Sequence, residues 1–76
     1  MGEIMSRLLK LRKEMGITQQ RVAILTGIDQ SDYSKLETGK RNMSFEQCKI
    51  LAVLFKTSMD YLAGLTDQQK PYPRKY

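Results

Sequence analysis

Apolar residues recur along this chain in short helical registers, each closed by a glycine or opened by a cap. Between Glu3 and Met15, the residues Ile4, Leu8, Leu11 and Met15 fall on one stripe, and Arg7, Lys10 and Lys13 can lie away from it, which predicts a first helix. Gly16 ends this helix and Ile17 follows, the same glycine-plus-apolar pattern as Gly27-Ile28 and Gly64-Leu65. Four of the five glycines thus sit at predicted helix ends, as expected of a compact all-helical domain. Thr18, a good N-cap, opens a second run in which Val22, Ala23 and Leu25 give the spacing of a helix packed on one side. It closes at Gly27, which tolerates the left-handed conformation of a helix C-terminus. Ile28 can then pack back into the core, and the Asp29 carboxylate can accept from the free backbone N–H groups of the next turn.

A connection that short forces the third helix to cross the second steeply, as in a helix-turn-helix. Laid on a wheel from Gln30, the residues Ser34, Thr38, Ser31 and Lys35 share an arc of roughly 140°, with Leu36, Asp29 and Tyr33 near the opposite side. One face is polar and the other is anchored. Any surface helix turns polar residues outward, but Gln, Ser and Lys are also side chains that reach base edges or phosphates in a DNA major groove.

Beyond Gly39 a short basic loop carries Lys40 and Arg41. Ser44 with Gln47 makes a capping-box pattern for a fourth helix, whose Phe45, Cys48, Leu51, Ala52, Leu54 and Phe55 are expected to form the floor of the core. Ser58 or Thr57 caps a last helix from Met59 to Ala63. From residue 67 the character changes. Two prolines and three basic residues in the last seven predict a basic, flexible tail over 67–76, after a single domain over 1–66. In that tail Tyr72, Arg74, Lys75 and Tyr76 interleave aromatic and basic groups able to touch nucleic acid or a partner subunit.

Composition narrows the chemistry. Seventy-six residues make one small domain, able to bury roughly 60% of its unfolded surface. The net charge of +5 favours a polyanionic partner, either nucleic acid or an anionic membrane surface. The basic first helix also has the form of a membrane-surface or calmodulin-type helix, but four further helical segments are available to cover its stripe. No apolar run approaches a membrane span and the N-terminus lacks a secretory core, so a soluble cytoplasmic chain is expected, with no membrane partner. With no histidine and only Cys48, itself in an apolar run, no metal site, cofactor or enzyme activity is expected.

The stretch from Thr18 to Gly39 resembles the phage-repressor-like helix-turn-helix family of the Cro/C1 or XRE class. Thr18-Gln19, Ala23, Gly27, Ile28, Ser34, Leu36, Glu37 and Gly39 carry the likeness, which extends from about Ile4 to Leu65. Tyr33 departs from the Ile or Val common in the family, and Met43 from a frequent proline. Asp32 puts an anion on the recognition helix, expected to support the helix N-terminus; pointing outward it would repel phosphate. The resemblance implies an all-α, five-helix, lambda-repressor-like DNA-binding domain. It further implies a sequence-specific regulator of double-stranded DNA, a repressor binding a near-palindromic operator as a homodimer, with the last helix contributing to the dimer contact. Gln30, Ser31, Ser34 and Lys35 are expected to face bases, and Gln19, Arg21, Lys40 and Arg41 to grip the backbone. Arg12 and Glu37 are expected to form an ion pair that fixes how the recognition helix is presented. The alternative is a protein-interaction module of the same fold, such as an antitoxin binding a toxin, for which an exposed apolar patch near Tyr61 and Leu65 is expected.

Overall fold

A computed structural model describes residues 2–70, with side chains from Arg7 onward. The described residues form five helices: α1 (Gly2–Met15), α2 (Gln19–Thr26), α3 (Gln30–Glu37), α4 (Phe45–Leu54) and α5 (Met59–Leu62). Local chemistry sets their ends. The Thr18 hydroxyl accepts from the Arg21 N–H, the Asp29 carboxylate from the Ser31 N–H, and Ser58, rather than Thr57, from the Tyr61 N–H. At α4 the capping box closes in both directions between Ser44 and Gln47. Gly27 takes φ 78 and its N–H reaches the Ala23 carbonyl, which stops α2 and releases the chain into the turn. The turn ending α4 uses the left-handed region at a residue with a side chain, Lys56 at φ 54.

α3 packs on α1 and α2, α4 on α2 and α5, and α5 returns to α1. Leu8 and Leu11 of α1, Val22 of α2, Tyr33 and Leu36 of α3, Leu51, Ala52 and Phe55 at the end of α4 and Leu62 of α5 meet in one buried cluster, with Ile28 and Cys48 at its margin. Four of the five helices are ten residues or shorter, so their stability comes from this shared burial rather than from helix propensity.

The burial pattern departs from the sequence expectation in several places. Phe45, expected in the core floor, is 69% exposed. It is the first residue of α4, and its ring borders the open groove it shares with Met59 and Leu62 of α5 instead of entering the buried cluster. Leu54 is half-buried against the core. Met15 and Leu25 lie mainly on the outside: Met15 is at the end of α1, beyond its neighbours, and α2 presents only Val22 fully to the interior. The side chain of Ile4 lies outside the described residues.

Arg7 reverses the expectation most fully, since it is buried. One guanidinium nitrogen donates to the carbonyls of Tyr61 at 2.6 Å and Thr66 at 2.8 Å, the other pairs with Asp67 at 2.8 Å, and the group sits 4.3 Å over the Tyr61 ring. It lies only about 40° from Leu11 on the helical wheel, so the apolar stripe carries the arginine inward. Beyond α5 the chain remains held: the Thr57 hydroxyl donates to the Gln69 carbonyl, and the Gln69 amide donates to Glu14 at 3.2 Å. The expected domain boundary between 66 and 67 therefore falls inside a stretch bonded to α1 and to the α4–α5 turn. Tyr72, Arg74, Lys75 and Tyr76 lie outside the described residues.

Candidate nucleic-acid interface

The turn after Gly27 orients α3 so that one of its long sides faces outward beside the start of α2. Gln30, Ser31, Ser34 and Lys35 of α3 line a shallow polar depression with Asp29, Thr38, Gln19 and Lys40. The helical repeat explains the grouping, because these α3 positions fall within one arc. The opposite side of α3 carries Tyr33, Leu36 and Glu37, all buried.

The hydrogen bonds inside the depression determine which groups remain available. Asp29 accepts both the Ser31 N–H at 3.1 Å and the Ser31 hydroxyl at 2.8 Å. The Ser31 hydroxyl proton is thereby committed, leaving its oxygen as an acceptor. Those bonds from Ser31, then the Asp32 N–H and the field of Lys35, hold the Asp29 carboxyl below its ordinary range, so it stays ionised. Thr38, absent from the sequence-based site, turns its hydroxyl back to the Ser34 and Lys35 carbonyls. Its place in the polar arc of the wheel was the signal for it. The side chains of Gln30, Ser34 and Lys35 form no hydrogen bond among the described residues. They are free to meet a ligand with donors and acceptors of both kinds.

Behind this surface, Glu37 gathers three helices. Its carboxylate receives the Arg12 Nε at 2.6 Å and Nη2 at 3.2 Å, in fork geometry, and the Gln19 amide at 2.9 Å. Arg12 also donates to the Ile17 carbonyl at 3.0 Å, bracing the α1–α2 connection. Burial pushes the Glu37 carboxyl upward, but the hydrogen bonds from Arg12, the adjacent Tyr33 hydroxyl and the hydrogen bond from the Gln19 amide together outweigh it and the net direction is down. The hydrogen bond to Glu37 raises Arg12 in turn. The Tyr33 hydroxyl, buried beside the pair, has no hydrogen-bond partner among the described residues; burial first, then the adjacent carboxylate, pushes it upward.

The four residues expected on the DNA backbone are placed differently from one another. Gln19 and Lys40 border the polar depression, with one N–H of Gln19 already given to Glu37. Arg21 is exposed on α2 outside the depression. Arg41 turns to the far side of the loop, where it pairs with Asp32 at 2.6 Å. There it borders an apolar groove of about 780 Å³ lined by Met43, Phe45, Cys48, Met59, Leu62 and Ala63, among others. Asp32 lies in the first turn of α3, and the hydrogen bond its carboxylate accepts comes from Arg41 of the loop.

Burial, then the charge of Asp60, pushes the Cys48 thiol upward, which suits an inert core position. Among the described residues no group of His, Cys, Asp and Glu is arranged to hold a metal ion, and no helix is long and apolar enough to cross a membrane.

Residues 8–62, from the middle of α1 to the end of α5, match the Helix-turn-helix family. The uncharacterized HTH-type transcriptional regulator YobD of Bacillus subtilis (strain 168) is 37% identical over 65 residues, covering 86% of this chain and 58% of that protein. The HTH-type transcriptional regulator AnsR of the same organism is 39% identical over 70 residues, covering 92% and 60%. The chain thus spans about three-fifths of the length of these curated relatives. No solved structure matches it. With its five helices joined through the tight turn at Gly27 and its match over nearly the whole core, the chain belongs to the XRE-type helix-turn-helix family, with an all-α, lambda-repressor-like fold.

Proposed function

We propose that this chain reads double-stranded DNA by sequence, as a non-enzymatic transcriptional regulator and specifically as a repressor that binds a near-palindromic operator as a homodimer. The observation that carries the reading is the outward face of α3, where Gln30, Ser34 and Lys35 are uncommitted and Lys40 stands at the rim. Family membership and the names of both relatives support it. Gln30 is suited to a bidentate contact with adenine, Lys35 to a guanine edge or a nearby phosphate, and Ser31 and Ser34 to single contacts. Gln19, Arg21, Lys40 and Arg41 supply the backbone contacts that set register. Arg12 and Glu37, through their ion pair, hold α3 at a fixed angle to the rest of the domain. Two subunits then meet half-sites about one DNA turn apart, and a regulator of this kind works in the cytoplasm.

Selection of the purified protein on a random duplex pool should enrich a near-palindrome. Gln30→Ala should then cost about 1–3 kcal/mol on the selected site while leaving non-specific binding nearly intact. An equal loss on every sequence would remove Gln30 from base reading.

A protein-binding module, such as an antitoxin that holds a toxin, is the second reading, and the groove beside Phe45 is the observation that favours it. The apolar surface is not centred where the sequence suggested: Tyr61 is buried under Arg7, and although Leu65 is 77% exposed, the larger apolar surface lies around Phe45 and Met59.

A further inference from the structure

The cations flanking α3 differ in how they are occupied. The Lys40 ammonium makes no hydrogen bond or ion pair among the described residues, whereas Arg41 directs Nη1 to one oxygen of Asp32 at 2.6 Å. The pair joins the loop after α3 to the first turn of the same helix. Both side chains are open to water, at 53% and 35% exposure, and only a single N–H···O bond joins them. An exposed pair of this kind is easily exchanged, and a guanidinium with several free N–H groups is suited to a phosphate.

From this we infer that Asp32 is an affinity-setting residue: it occupies Arg41 in the free protein as an internal stand-in for a DNA phosphate. The inference rests on the DNA-binding reading above. A phosphate that takes Arg41 leaves the Asp32 carboxylate without its partner and close to a polyanion. Asp32 therefore weakens binding to all duplexes alike, since neither the pair nor a phosphate carries sequence information. Its consequence is low non-specific occupancy, with base contacts left to distinguish one site from another.

The test measures binding of the 76-residue wild type, Asp32→Asn, Arg41→Gln, the double variant and Lys40→Gln to fluorescent duplexes, one of random sequence and one selected, across a salt series. Thermal melts followed by circular dichroism show that each variant is folded. Asp32→Asn should tighten binding to both duplexes by up to about fivefold, the range of one exposed ion pair. It should also steepen the dependence of log K on log salt by up to about 0.9, because no freed carboxylate then takes back one of the cations that the phosphate releases. In the Arg41→Gln background most of that gain should vanish. Unchanged or weaker binding by Asp32→Asn would overturn the inference, because the pair would then be a brace for the loop. An equal gain in both backgrounds would overturn it too, reducing Asp32 to a general negative charge. Lys40→Gln separates the two levels: if neither it nor the wild type shows salt-sensitive DNA binding, the DNA reading itself fails and this inference with it. Normal loss in Lys40→Gln with no response in Asp32→Asn defeats only the inference.

Discussion

At the scale of single residues, the most consequential group is the Glu37 carboxylate, because it is almost completely buried and its side-chain hydrogen bonds all reach another helix, to Arg12 of α1 and Gln19 of α2. Replacing it with glutamine leaves Arg12 partly buried without its counter-ion, and should destabilise the fold by about 2–3 kcal/mol in chemical unfolding. The pH dependence has a definite sign. The folded carboxyl lies below its ordinary value of 4.5, so its stabilisation is fully present above that value and is lost as pH falls below it. Glu37→Gln should therefore flatten the acid limb of stability against pH; an unchanged limb would show that other carboxylates control it. Tyr33→Phe makes the opposite case. Its hydroxyl is buried and has no partner of good geometry, so its removal should leave stability within about 1 kcal/mol of wild type or raise it. A larger loss on melting would reveal a bond from this hydroxyl to the ion pair beside it.

At the scale of elements, α4 shows how position along a helix overrides residue type. Leu51 is fully buried in the cluster, whereas Phe45, in the first turn, is 69% exposed at the edge of an open groove. Leu51→Ala should accordingly cost about 2–5 kcal/mol, whereas Phe45→Ser should change stability by less than about 0.5 kcal/mol, despite removing the larger side chain. Comparable losses from the two would return Phe45 to the core. α3 depends on the same logic in reverse. Its eight residues have one side fully anchored by Tyr33, Leu36 and Glu37, which frees the other side to carry polar groups with no structural duty. The caps at Thr18, Asp29 and Ser44 were legible in the sequence because capping is settled within three residues. The partners of Arg7 and Gln19 were not, because they come from other elements.

At the scale of the whole molecule, α1 and the stretch just after α5 are brought together. Arg7 near the start of α1 binds the carbonyls of Tyr61 and Thr66 and the side chain of Asp67, so α1 is locked to whatever follows α5. Ending the chain after Gly64 would take the Thr66 carbonyl and the Asp67 carboxylate from the Arg7 guanidinium, and the Gln69 carbonyl from the Thr57 hydroxyl. The truncated protein should lose about 1–3 kcal/mol of stability by urea denaturation. An unchanged midpoint would mean that residues 65–70 are an appendage rather than part of the folded unit. The apolar groove beside Phe45 and the polar depression on α3 adjoin at Thr38, so a partner seated in the groove would lie next to the polar face of α3.

The sequence by itself determined the helices, their caps, the tight turn and the shared face of Gln30, Ser31, Ser34 and Lys35. Each of these follows from bonds or spacing over a few residues, where the period of the helix is enough to place a side chain. Tertiary structure alone decided that Arg7 is buried, that Phe45 is exposed, that Gln19 gives an N–H to Glu37 and that Arg41 leaves the polar face for Asp32. These outcomes depend on which surfaces the other helices cover and where the loop returns, and a charged or aromatic side chain goes to whichever neighbour the packing brings within reach.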